Sequence, residues 1–169
     1  METKKDRAKY AAPGEGKTLW VAGDLVTFKI LGEDTNGAYS LFEVESNPGG
    51  GPPPHVHRRE DEIFCVLEGE HEVSIGERTV RASAGSVVYG PRNVPHAYKN
   101  VGATPGRILG FVAPAGIEGF FEEVGEEAKD PSTPPPFGQR EVEWLLVAAP
   151  KYGIEMQPPA SKTGRSGTS

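Results

Sequence analysis

The chain has 169 residues, a formal charge of -6 at neutral pH, four histidines and one cysteine. That length suits one ordinary domain with arms, and the acidic balance gives no general attraction to phosphate backbones or anionic lipid, which excludes nucleic acid as an expected partner. The lone Cys65 excludes an intrachain disulfide, while 22 glycines and 16 prolines suit many short strands joined by tight turns better than a helical bundle.

Residues 1–16, METKKDRAKYAAPGEG, read as a flexible, charged arm without the apolar core of a secretory signal. The sequence contains no apolar run long enough to cross a bilayer, so a soluble, cytoplasmic protein without a membrane partner is expected. Residues 17–115 break into β-type runs, DLVTFKI, AYSLFEV, EIFCVLE, HEVSI, RTVRA, SVVYG, HAYKN and RILGFV, separated by turn residues. Eight such runs with no helical period between them predict a mostly-β fold, an antiparallel barrel or two-sheet sandwich.

Residues 116–157 change character. Ile117, Phe120, Phe121 and Val124 stand at helical spacing and predict a short amphipathic helix over the barrel mouth. The joint PSTPPP leads into REVEWLLVAAPKYGI, a second helix interrupted by Pro150 and ended by Gly153. Residues 158–169 read as a disordered tail. In EIFCVLE, Phe64 and Val66 share one face while Ile63, Cys65 and Leu67 share the other, so both faces need cover. Either a second copy in a homodimer or the chain's own terminal segments supply it.

Two of the four histidines lie one residue apart in PPPHVHRREDE. On a strand, positions i and i+2 project to the same side, so His55 and His57 can aim at one point inside a barrel. Glu62 opens the next strand on the inward face of Phe64 and Val66, where an unpaired carboxylate is costly and a cation would offset the cost. In GSVVYGPRNVPHAYKN, His96 starts an inward row with Tyr98 and Asn100. Three imidazoles and one carboxylate suit one divalent first-row transition metal, with Fe, Mn, Ni, Co, Cu and Zn all admissible.

These residues resemble the two signature motifs of the cupin superfamily. In the first, Gly49 is followed by His55, His57, Glu62 and Gly69 at the family spacing; in the second, Gly85, Pro91, His96 and Asn100 follow suit. The one departure is Asn93, where the family has glycine; a positive φ is expected there, and asparagine tolerates it. The resemblance implies a single cupin-type jelly-roll barrel with short C-terminal helices, and it implies that His55, His57, Glu62 and His96 bind the metal.

Strand parity assigns Phe64, Val66, Val73, Tyr98 and Phe111 to a mainly apolar substrate pocket. His71 shares that parity and reads either as a substrate or ligand contact or as a partly exposed rim residue. Tyr89 and Tyr98 either contact substrate or fill space. Arg58, Arg59, Arg92 and Arg107 read as solvated charges. The segment GDLVTFKI to PPPHVH, with VAPAGIEGFFEEVGE downstream, is similar to single-barrel proteins of the quercetin 2,3-dioxygenase type. That similarity implies a dioxygenase acting with dioxygen on a flavonol-like or other enolic or hydroxylated aromatic substrate, with Glu62 as ligand and general base. The alternatives are a non-catalytic small-molecule binder and a metal-assisted lyase or isomerase.

Overall fold

A computed structural model describes residues 8–157. The expected N-terminal arm is therefore only partly described, and the expected tail lies outside the described residues. Two antiparallel sheets face each other. The larger contains β1 (Thr18–Val21), β2 (Asp24–Ile30), β3 (Ser40–Ser46), β5 (Asp61–Glu68), β8 (Val87–Gly90), β10 (Gly106–Ala113) and β11 (Glu126–Glu127), in the order β11-β1-β2-β3-β10-β5-β8. The smaller contains β4 (His55–His57), β6 (Glu70–Ile75), β7 (Arg78–Ser83), β9 (His96–Asn100) and β12 (Ile154–Met156), in the order β12-β4-β9-β6-β7. This is the jelly-roll arrangement expected from the sequence.

Alternation builds the core. Along β2, Asp24, Val26 and Phe28 are buried; along β5, Glu62, Phe64 and Val66; along β10, Ile108 and Val112. Each of these strands turns its intervening residues outward, as the pleat requires. On the outer face of β5, Ile63 and Cys65 are half-buried and Leu67 is exposed.

Two helices follow the barrel. α1 (Ile117–Val124) buries Ile117 and Phe120, and Phe121 and Val124 pack at the edge of the same core. α2 (Gln139–Ala148) buries Leu145 and Ala148, runs into a short 3-10 turn containing Pro150, and stops at Gly153 in the left-handed region. The chain then enters β12, which pairs with all three residues of β4. By contrast, β4 meets β9 at one register position, His55 opposite His96. No helix among the described residues is long and apolar enough to cross a membrane.

Candidate metal centre

His55 and His57 stand on the same side of β4, Glu62 opens β5, and His96 opens β9. The loop before His55 passes close over β9. Gly51 adopts φ +133° there, and a Cβ on it would lie 2.1 Å from the Tyr98 carbonyl oxygen, so only glycine lets the chain reach β4 by this path. Asn93 shapes the turn into His96 with φ 66°, the positive value expected of it, while its N–H donates to the His57 carbonyl at 2.7 Å. Asn100 closes the far end of β9: its buried amide donates to the carbonyls of Ser46 (2.8 Å) and Thr104 (2.9 Å).

The four side chains converge. One ligand atom from each of His55, His57, Glu62 and His96 lies within 4.8 Å of the others, and all four residues are buried. Glu62 Oε2 stands 3.1 Å from His96 Nε2 and 3.2 Å from His57 Nε2. Metal–ligand bonds of about 2.0–2.2 Å place neighbouring donors about 3 Å apart and opposed donors a little over 4 Å apart, which is this spread.

The outer hydrogen bonds fit the same reading. Nδ1 of His55 donates to the Pro53 carbonyl at 2.9 Å, and Nδ1 of His96 to the Val94 carbonyl at 3.0 Å. Protons held there leave the Nε2 lone pairs of both rings for the centre. A lone pair 3.1 Å from a carboxylate oxygen needs a proton or a cation between them. His57 Nδ1 faces Glu60 Oε2 at 3.4 Å, within ion-pair reach, yet neither His57 nitrogen has hydrogen-bond geometry to any described residue. The donor set therefore fits one bound cation.

The titration behaviour has the same origin. Burial and the neighbouring His57 and His96 rings lower the His55 imidazole to about 3. Burial also disfavours charge on His57, but Glu60 and Glu62 beside it outweigh that and push it up to about 9. For Glu62, burial raises the carboxyl, and the close His57 and His96 rings more than reverse this, holding it below the usual carboxylate range. Between them the groups demand positive charge at the centre, as a proton or as a metal.

The His55, His57 and Glu62 side of the cluster opens on a cavity of about 80 Å³. Its walls are Val26, Phe42, Val44 and Phe64 from the barrel, Ile117, Phe120 and Phe121 from α1, Leu145 from α2, and Ile154 and Met156 from β12. Apart from the His/Glu cluster, its polar groups are Tyr98 and Asp24; the Tyr98 hydroxyl donates to Asp24 Oδ2 at 3.3 Å. Burial pushes the Asp24 carboxyl up to about 6.

A model of the cupin domain matches residues 42–112, the stretch that contains all four converging side chains. The cupin-domain match thus covers the central strands of the barrel, β3 to β10. Among curated proteins, the chain is 38% identical over 88 residues to germin-like protein subfamily 2 member 2 of Arabidopsis thaliana, covering 48% of this chain and 39% of that one. It is 34% identical over 116 residues to nectarin-1 of Nicotiana plumbaginifolia, covering 63% and 50%. The chain thus spans about half the length of the curated relatives it matches. Solved structures with the same fold include KdgF from Halomonas sp. (TM-score 0.59, 19% identity, 66% of this chain and 97% of that one) and a predicted oxalate decarboxylase from Thermotoga maritima (TM-score 0.58, 20% identity, 62% and 98%).

Of the residues assigned to the substrate pocket by parity, Phe64 and Tyr98 line the cavity. Val66 and Val73 are buried in the core beyond its lining. Phe111 is corrected: the inward residues of β10 are Ile108, Gly110 and Val112, and Phe111 lies outside, stacked on Tyr39 at 5.3 Å between ring centres. Gly110 carries no side chain to mark the inner face of β10 in the sequence. His71 is not a rim residue either. It is fully buried, and Gly106 makes room for its ring, since a Cβ there would meet His71 Cε1 at 2.7 Å. It faces the Tyr98 ring at 6.0 Å and does not line the cavity. Tyr89 is exposed.

Three of the arginines are tied up in ion pairs: Arg58 with Glu155, Arg92 with Asp61, and Arg107 with Glu43 and Glu68. Two residues beside the cluster and cavity, Asp24 and Glu60, escaped the sequence reading. Asp24 shares the parity of Val26 and Phe28, a signal that was available, but a carboxylate directly after a turn passes for a turn residue. Glu60 lies in the charged run RRED, which by composition looks solvated.

Proposed function

We propose that this chain is a metal-dependent oxygenase acting on a compact, largely apolar molecule that carries an enol or ring hydroxyl. The observation that carries the reading is a four-ligand cluster opening on an apolar cavity. When bound, a divalent transition metal supplies Lewis acidity and a route for dioxygen to reach the substrate. His55, His57, Glu62 and His96 would hold it. Glu62 is ionised at neutral pH and is the carboxylate placed to accept the hydroxyl proton of the substrate. Phe42, Phe64 and Phe120 give the walls a shape suited to a ring and exclude water from it.

A cavity of about 80 Å³ favours a single ring over a three-ring flavonol. Small dicarboxylates fit the lining poorly, because no lysine or arginine lines the cavity among the described residues and Asp24 adds negative charge. The test is metal analysis of the purified protein followed by oxygen-electrode assays with hydroxylated single-ring compounds and with flavonols, after loading with manganese, iron, cobalt, nickel or copper. Metal-dependent oxygen uptake is expected. Turnover without oxygen uptake indicates a lyase or isomerase, and tight binding without turnover a binder; either overturns the oxygenase reading.

A further inference from the structure

The cavity has two polar poles. One is the His/Glu cluster; the other is Asp24 with Tyr98. They are joined by β9, where His96 and Tyr98 are inward residues two positions apart, roughly 7 Å along the strand. The Phe64 ring stands beside both, 5.8 Å from His96 and 5.6 Å from Tyr98, and forms an apolar floor between the poles. A ring lying on that floor would present one edge to each pole.

Asp24 is an expensive residue to bury. It is 5% exposed, and no lysine or arginine pairs with it among the described residues. Its partners are the hydroxyls of Tyr98 and Ser46, and a carboxylate with about four acceptor positions retains capacity beyond these two. An amide or a serine would satisfy Tyr98 at lower cost, so the charge itself calls for a ligand.

We infer that Asp24, held by Tyr98, is the specificity-determining residue of the cavity: it selects a substrate with a hydroxyl on the side opposite its metal-binding group and rejects a carboxylate there. This rests on the reading of the His/Glu cluster as a metal centre. It goes further by fixing the chemistry of the substrate's far end.

Three hydroxypyranones share one metal-chelating edge and differ only in the substituent opposite the chelating hydroxyl: hydroxymethyl in kojic acid, methyl in allomaltol and carboxylate in comenic acid. Calorimetric titration into the zinc-loaded full chain at about pH 8 reads their affinities. Kojic acid is expected to bind about tenfold or more tighter than allomaltol, and comenate at least about tenfold more weakly than allomaltol. Asp24→Asn should relieve most of the comenate penalty, and Tyr98→Phe should shrink the kojic acid advantage. Equal binding of kojic acid and allomaltol by the wild-type chain, or comenate binding as tightly as kojic acid, overturns the inference and leaves the metal centre standing. Failure of allomaltol to bind overturns the metal-centre reading, and the inference falls with it. If a variant does not fold, the wild-type ranking alone decides.

Discussion

Glu60 Oε2 lies 3.4 Å from Nδ1 of His57, and both side chains are out of reach of solvent. A carboxylate behind a metal-binding histidine fixes the ring orientation and raises the basicity of the ligand nitrogen. Glu60→Gln is therefore expected to lower metal affinity by about 10- to 100-fold without unfolding the barrel. Competition with a chromophoric chelator, beside a circular dichroism spectrum, checks this; unchanged affinity would remove Glu60 from the site.

Glu62 has two assigned tasks, and one substitution separates them. Glu62→Gln keeps an oxygen donor but loses the base, so turnover should fall by about 10²- to 10⁴-fold while the three histidines retain much of the metal. The ratio of oxygen uptake to bound metal is the measurement. Full turnover at full metal occupancy would refute the base role.

Asp24 gives a pH signature of opposite sign to that of a salt-bridged carboxylate. Burial raises it from 3.8 to about 6, so between those values the folded chain binds more protons than the unfolded chain, and stability falls as pH rises through that window. The cost is complete above about pH 6 and amounts to about 3 kcal/mol. Asp24→Asn should therefore melt higher than the wild type at pH 8, with the gap closing towards pH 4. A gap independent of pH would contradict this account.

Ile154 is buried on the cavity wall and stands opposite His57 in the register of β12 and β4. Ile154→Ala should cost about 2–5 kcal/mol in denaturant unfolding, as for other buried large-to-small changes. Metal affinity should drop with it, since the strand that carries two ligands loses packing. Destabilisation with unchanged metal affinity would uncouple β12 from the site.

Much of this was legible in the sequence because strand parity and motif spacing are local. His55, His57, Glu62 and His96 are specified by offsets within two short segments, and their convergence follows once those segments lie in facing strands. Asn93 was readable for the same reason: a turn that needs positive φ has few tolerant residues. What could not be read depended on contacts distant in sequence. The pairing of β12 with β4 joins residues almost a hundred positions apart, and three-residue strands carry too little alternation to announce themselves. Phe111 misled because Gly110 hid the inner face, and His71 because burial of a polar ring depends on a glycine thirty-five positions away.

The short strand β4 bears His55 and His57, two of the four converging side chains, yet across its smaller sheet it has one register position with β9 and three with β12. Metal loading and the docking of β12 are thus thermodynamically linked, each tightening the other by the same factor. Amide protons of residues 154–156 should exchange more slowly once the metal is in place. A protease cut between α2 and β12 should in turn release the metal, although it lies outside the 42–112 core.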